Sequence, residues 1–245
     1  MPTSSPENRN QDFATIKTFY DGTYHKNASP VRSTPGFYKR LANRLGIKPG
    51  ERVLDVACGT GEWLLAARER QASVAGTDIS ERAISVCRET IPQGHFEVCP
   101  AEQLPFNDAC FDWITCLGSL EHFLNKDAAL SEMIRVGTPE ARYLILVPNS
   151  GFLTRRLGLF RGTEQAAVRE DVLSLEQWQK MFECNGLAVA ERWADLHVLS
   201  LDWIEKGPVW RWPLRLAQAL SLAVWPLRWQ YQVFHLCRKA GQVSG

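Results

Sequence analysis

The stretch Arg52-Val53-Leu54-Asp55-Val56-Ala57-Cys58-Gly59-Thr60-Gly61-Glu62-Trp63-Leu64 decides the fold. An apolar run ends in an acid, passes through a turn of small residues and opens into a segment with helical spacing. Such a turn lets backbone N–H groups approach a ligand closely, and the helix start behind it favours a carboxylate or phosphate. The dinucleotide fingerprint G-x-G-x-x-G needs a third small residue where helix and strand pack closely. Counted from Gly59 that place holds Leu64, and counted from Ala57 it holds Glu62. Both frames fail.

On either side of this turn the chain alternates. Short apolar runs at 53–56, 73–77, 95–98, 113–116 and 143–147 read as strands buried on both faces of a parallel sheet. Helical spacing at 62–70, 81–89 and 128–136 separates them, with Ser80 as an N-cap and Gly137 as a stop. A capping box at Ser174-Leu175-Glu176-Gln177, a staple of Leu173 with Trp178, and Asn185-Gly186 delimit a further helix. Strands at 187–193 and 232–237 complete seven. Ahead of the core, residues 1–12 read as a frayed tail, and helices are expected over 13–24 and 37–45. Strand–helix alternation of this kind predicts a doubly wound α/β sheet.

Composition narrows the class. The chain has 245 residues, 45% hydrophobic and 22% charged, with a net charge of +1. That suits a globular domain and gives no overall attraction to nucleic acid. The seven cysteines are scattered and include no C-x-x-C pair, so reduced thiols are expected rather than a disulfide framework or a metal site. The polar start, with Pro2 and Pro6, does not read as a signal peptide, and no apolar run reaches the ~20 residues of a membrane span. A cytoplasmic location is expected.

The opening stretch resembles motif I of the class I S-adenosylmethionine-dependent methyltransferases, acid-x-G-x-G-x-G. Asp55, Gly59 and Gly61 fill three of its fixed positions and Ala57 takes the first glycine slot. The resemblance implies a Rossmann-like, seven-stranded, mostly parallel sheet with the last strand antiparallel and helices on both faces. It also implies S-adenosylmethionine as cofactor and no metal. An acid is expected at the end of the second strand to accept the ribose hydroxyls; Asp78, followed by Ile79, stands there, with helix capping as its bland alternative. The segment Val98-Cys99-Pro100-Ala101-Glu102-Gln103-Leu104-Pro105-Phe106 resembles the loop that flanks adenine in the family. Cys99-Pro100 replaces the family's Gly-Asp, which leaves Ala101 and Glu102 as the adenine candidates. Leu117-Gly118-Ser119-Leu120-Glu121-His122-Phe123 resembles the exit of strand four, beside the methionine arm. His122 is the first candidate general base, with Glu121 and His25 as lesser ones, because imidazole titrates near operating pH. A histidine that only holds the loop's shape is an equal alternative. Tyr20 and Tyr24, around Gly22, resemble an aromatic lid over the cofactor, against ordinary core packing.

The acceptor is narrowed chiefly by exclusion. Enzymes of the family that act on amide or exocyclic nitrogens carry Asn/Asp-Pro-Pro-aromatic after strand four, and cytosine-C5 enzymes need Pro-Cys. Neither is present here. Past Glu205 there is no acid, while Lys206, Arg211, Arg215, Arg228, Arg238 and Lys239 are cationic and six of the nine tryptophans fall from 193 onward. Tryptophan and arginine around a short apolar helix suit either peripheral membrane contact through 206–229, at the inner surface, or a substrate lid. Either reading favours a lipid-like, polyprenyl or glycan-lipid acceptor, or a bulky apolar metabolite, over a small ion. The expected organisation is one methyltransferase domain over 1–245, with lid helices at 13–46, a cofactor core at 50–149 and insertions at 151–172 and 198–228. O-methylation of a small or lipid-linked molecule is the leading expectation, with C- and N-methylation open. A catalytically silent cofactor-binding partner subunit and a nicotinamide oxidoreductase are the rivals.

Overall fold

The computed structural model describes residues 6–31, 33–153, 170–197 and 208–241. One sheet carries β1 (Arg52–Val56), β2 (Ser73–Asp78), β3 (His95–Val98), β4 (Phe111–Leu117), β5 (Gly137–Pro148), β6 (Leu187–Ala194) and β7 (Gln232–Lys239). Their order is β3-β2-β1-β4-β5-β7-β6. Neighbours from β3 through β5 are parallel, and β7 runs antiparallel to both β5 and β6. This is the mostly parallel sheet with an antiparallel last strand that the resemblance implies.

The period of two along a strand sends successive side chains to opposite faces. Leu54 and Val56 of β1 join a core with Leu130, Met133, Trp178 and Phe182, whereas Val53 joins one with Leu41, Leu64, Ile84 and Cys87. The first core lies under α5 (Lys126–Val136) and α6 (Leu175–Cys184). The second lies under α2 (Gly36–Leu45), α3 (Glu62–Glu69) and α4 (Glu81–Thr90). Helices therefore cover both faces. The chain winds outward from β1 in one direction and from β4 in the other, so their carboxyl ends flank the crevice where open α/β sheets place ligands.

Leu64, the residue that breaks the dinucleotide frame, is fully buried. The close approach of helix to sheet comes from the strand side: a Cβ at Gly76 of β2 would lie 2.8 Å from Leu64 Cδ1 and from Cys58 Sγ. A glycine in the second strand thus does what a small residue in the helix does in the dinucleotide motif.

Three boundaries differ from expectation. Helix α1 (Pro6–Phe19) reaches back into the segment read as a tail, and Tyr20–Tyr24 widens into a π turn closed by His25 N–H donating to the Tyr20 carbonyl at 2.8 Å. Strand β4 begins at Phe111, where its register with β5 slips between Phe111 and Trp113. Strand β5 begins at Gly137, which leaves α5 with an extended ψ of 141. A side chain there is barred, since a Cβ would sit 2.3 Å from the Tyr143 hydroxyl. The punctuation of α6 is as read: both arms of the Ser174–Gln177 capping box are made, and Gly186 adopts φ +84. Of the two expected insertions, 154–169 and 198–207 lie outside the described residues, as do 1–5 of the tail. The rest of the second insertion holds α7 (Trp212–Val224). Among the described residues no helix is long and apolar enough to cross a membrane.

Candidate active site

The loop after β1 is built from alternating left-handed residues: Ala57 at φ 60, Gly59 at φ 52 and Gly61 at φ 80. The loop is closed by its own backbone: Cys58 N–H donates to the Thr77 carbonyl at 2.8 Å and Gly61 N–H to the Cys58 carbonyl at 3.0 Å. The first of the three costs an L-residue about 1–2 kcal/mol, so alanine in the first glycine slot is a strained choice. Ala57→Gly is expected to stabilise the protein by on the order of 0.5 kcal/mol, once the extra chain entropy of glycine is deducted. Urea melts of the two proteins check this, and a lower midpoint for the variant would contradict it.

Asp78, at the end of β2, ties this loop down. Its Oδ2 accepts from Gly59 N–H at 2.9 Å and its Oδ1 from Ser80 N–H at 2.9 Å. Ser80 caps α4, accepting from Ala83 N–H at 3.1 Å, and donates its hydroxyl to Asp21 Oδ1 at 2.6 Å. The N-terminal segment is thereby hooked onto the start of α4. Burial raises the Asp78 carboxyl above its ordinary range, and the two N–H donors and His25 only partly offset it.

Asp55 ends a second chain of bonds. Trp63 Nε1–H donates to Thr115 Oγ1 at 3.0 Å, and the Thr115 hydroxyl donates to Asp55 Oδ1 at 2.5 Å. Burial pushes the Asp55 carboxyl up to about 7, against the pull of the Thr115 hydrogen bond. Two acids that resist ionisation thus face one crevice. Burial also raises the carboxyl of Glu62, in the first turn of α3.

The N-terminal segment forms the facing wall. Tyr20 and Tyr24 meet edge to face with centroids 5.6 Å apart, and Tyr24 meets His25 at 4.9 Å. His25 is buried and lies over the loop, its Cε1 3.8 Å from where a Gly59 Cβ would be. Burial lowers its basicity despite the acids Asp78 and Asp21 nearby. The Tyr20 phenol is pushed well above its ordinary range by burial first and then by Asp78.

Between these walls lies a cavity of about 550 Å³, within the usual range for small-molecule sites. Tyr20, Tyr24, Asp55, Ala57, Gly59, Asp78, Ile79, Ala101, Glu102, Leu117 and His122 all line it. Gly61 and Glu121 do not. Gly61 instead supplies the turn into α3. Glu121, offered as a lesser catalytic candidate, is buried inside the Leu120–His122 turn, where burial raises its carboxyl to about 8. Its Oε2 has no hydrogen-bond partner among the described residues. Its side chain is thus set inside the turn, while its neighbour His122 lines the cavity. Glu102 keeps its place in the wall, with Oε1 accepting from Asn125 N–H at 3.0 Å at the start of α5. No cluster of His, Cys, Asp or Glu among the described residues is arranged to hold a metal ion.

A family model described as a methyltransferase domain matches residues 47–202. The chain belongs to the S-adenosylmethionine-dependent methyltransferases. It is 30% identical over 200 residues to the uncharacterized methyltransferase YcgJ of Bacillus subtilis, covering 75% of this chain and 78% of that protein. It is 38% identical over 109 residues to the ubiquinone/menaquinone biosynthesis C-methyltransferase UbiE of Cupriavidus necator, which covers 41% of this chain and 44% of the relative. In fold it is similar to the Burkholderia thailandensis 1,6-didemethyltoxoflavin-N1-methyltransferase solved with 1,6-didemethyltoxoflavin and S-adenosylhomocysteine. That similarity has a TM-score of 0.61 at 14% identity and covers 98% of this chain and 92% of the other. Family membership disposes of the oxidoreductase reading and does not favour a silent partner subunit.

The cavity of this methyltransferase fits its cofactor chemically. Buried carboxyls at Asp78 and Asp55 suit a ligand bearing hydroxyls and an ammonium, and the small residues Ala57, Gly59 and Thr60 of the turn line the cavity wall. Sequence reasoning passed over Tyr38, Trp63, Thr115 and Glu62. Tyr38 lies one residue beyond the Phe37–Leu41–Leu45 stripe, and its phenol is raised by burial and then by Glu62 and Asp55. A polar Thr115 inside an otherwise apolar strand is the one signal that was legible.

Proposed function

We propose that this methyltransferase delivers the methyl group of S-adenosylmethionine to an oxygen of a small or lipid-linked acceptor. His122 carries the reading. It lines the cavity at the carboxyl end of β4, among the apolar Leu117, Phe123 and Leu124, where a hydroxyl proton would have to leave. When bound, the cofactor supplies a sulfonium-activated methyl group, so the protein's work is alignment, water exclusion and proton removal. Asp78 would accept the ribose hydroxyls through lone pairs left over from Gly59 and Ser80. Asp55 would pair with the amino group, and Leu117 would hold the methionine arm. Ile79, the Ala101 N–H and Glu102 would hold adenine. Tyr20 and Tyr24, with Phe13 and Ile16, would shield the reacting end from water.

Asp78→Ala leaves the buried Ser80 N–H and the part-buried Gly59 N–H without their acceptor and would remove the ribose anchor. Cofactor affinity should fall by roughly 10–100-fold, the equivalent of about 1–3 kcal/mol for charge-assisted hydrogen bonds. Calorimetric titration checks this, and unchanged affinity would take Asp78 out of the site.

The acceptor atom is tested by supplying S-adenosylmethionine labelled with ¹³C at the methyl group to cell extract and the enzyme. The expected product carries a methoxy resonance. A second reading, transfer to carbon, is favoured by the likeness over 109 residues to a C-methyltransferase, and a C-methyl resonance would establish it instead.

A further inference from the structure

Helix α7 is built inside out. The residues it turns toward the protein are Trp212, Arg215, the fully buried Ala219, and Leu222. Its exposed face is Pro213, Leu214, Leu216, Ala217, Leu220, Ala223 and Val224, with Leu214 69% and Val224 81% exposed. Every described exposed residue of the helix is apolar. Val209 and Trp210, in the turn before it, extend the surface at 67% and 70% exposure. Monomeric soluble proteins seldom leave so continuous an apolar face in water.

The face is held in place. Gln230 Nε2 donates to the Leu222 and Trp225 carbonyls at 2.6 and 3.2 Å, closing the end of the helix. Asn149 Nδ2 donates to the carbonyls of Arg228 and Gln230 at 3.0 and 3.1 Å. Asn149 directly follows β5, so the segment is fixed to the carboxyl edge of the parallel strands, the edge at which the active-site cavity lies.

Charge selects the occupant. The Arg211 guanidinium lies 4.7 Å from the Trp210 ring and that of Arg228 lies 5.5 Å from the Trp229 ring, while no Asp or Glu occurs from 206 to 245. A second copy docked face to face would bring these arginines together with no acid in the segment to pair them. Anionic headgroups pair them, and tryptophan beside arginine suits the headgroup level. At about 1.5 Å per residue the helix is ~20 Å long, too short for the ~30 Å hydrocarbon layer, so it lies in the plane.

We propose that α7 and its flanking turns seat their apolar face in the surface of an anionic bilayer, setting the carboxyl edge of the sheet against the membrane. The test is co-sedimentation of the full chain with phosphatidylcholine vesicles, with and without phosphatidylglycerol, at low and high salt. Wild type should bind the anionic vesicles, and more weakly as salt rises. Leu216→Glu with Leu220→Glu should lose at least tenfold in partitioning, and Arg211→Gln with Arg228→Gln should lose the preference for phosphatidylglycerol. Unchanged melting and cofactor affinity establish that the variants fold, and none of these readouts depends on methyl transfer. Equal partitioning of wild type and the leucine variant would overturn the proposal. So would indifference to lipid charge, or a wild-type dimer that the leucine changes dissociate.

Discussion

His122→Asn is expected to lower kcat on a hydroxyl acceptor by roughly 10²–10⁴-fold, the usual contribution of a positioned base, with cofactor affinity unchanged. Gly118, at φ +73, turns the chain out of β4, and His122 N–H donates to the Ser119 carbonyl at 3.0 Å. This tight turn sends His122 to the cavity and its neighbour Glu121 to the interior. Asparagine keeps a short polar side chain in the turn but cannot take up the proton. A purely structural histidine would give a different pattern: lower melting, weaker cofactor binding, and equal losses for all acceptors. A base gives unequal losses, because a phenol or enol yields its proton more readily than an alcohol and depends less on help. Measured kcat ratios for two such acceptors decide between the roles, and equal ratios would remove His122 as the base.

What the sequence revealed of this molecule and what it hid have physical causes. Asp55, Asp78 and the glycine turn were legible because local chain geometry fixes them: a strand end, a left-handed turn and a helix start leave marks a few residues apart. Ser80 and the Ser174 capping box were legible for the same reason. The Trp63–Thr115–Asp55 chain was not, since its members come from α3, β4 and β1 and meet only when the sheet assembles. Likewise nothing local announces that Asp21 bonds to Ser80, or that Gly76 rather than a helix residue makes room for Leu64. Spacing alone does not tell which of Glu121 and His122 faces the cavity, because adjacent residues in a tight turn can point to opposite environments. The exposed apolar face of α7 was foreshadowed by composition, but only the structure says which side of the helix faces the protein.

Asp55→Asn is expected to stabilise the ligand-free protein above pH 7 while abolishing tight cofactor binding. The Asp55 carboxyl sits at about 7 in the folded chain against a reference of 3.8. Its pKa is raised on folding, so the folded state holds the proton more tightly. The contribution of Asp55 to stability is therefore greatest below about pH 4, falls as the unfolded chain ionises and the folded one does not, and levels off above about pH 7. The accumulated penalty is on the order of 4 kcal/mol, and asparagine, which does not titrate, escapes it. The variant and wild type should thus melt at similar temperatures near pH 4 and separate in the variant's favour toward pH 8. A cationic amino group placed beside Asp55 favours the ionised carboxylate, so cofactor binding to wild type near pH 6 should release a proton. Calorimetry in two buffers of different ionisation enthalpy reads that release directly, and the variant should give none. If Asp55→Asn instead lowers the melting temperature equally at every pH, Asp55 is already ionised and paired in the free protein. Its strain is then not what the cofactor relieves. If the strain is real, the Trp63–Thr115 chain serves to hold an uncharged carboxyl in the geometry that its charged form will need. Removing Thr115 should then cost affinity and, by taking away the hydrogen bond that favours the ionised carboxylate, keep the two melting curves separating to higher pH.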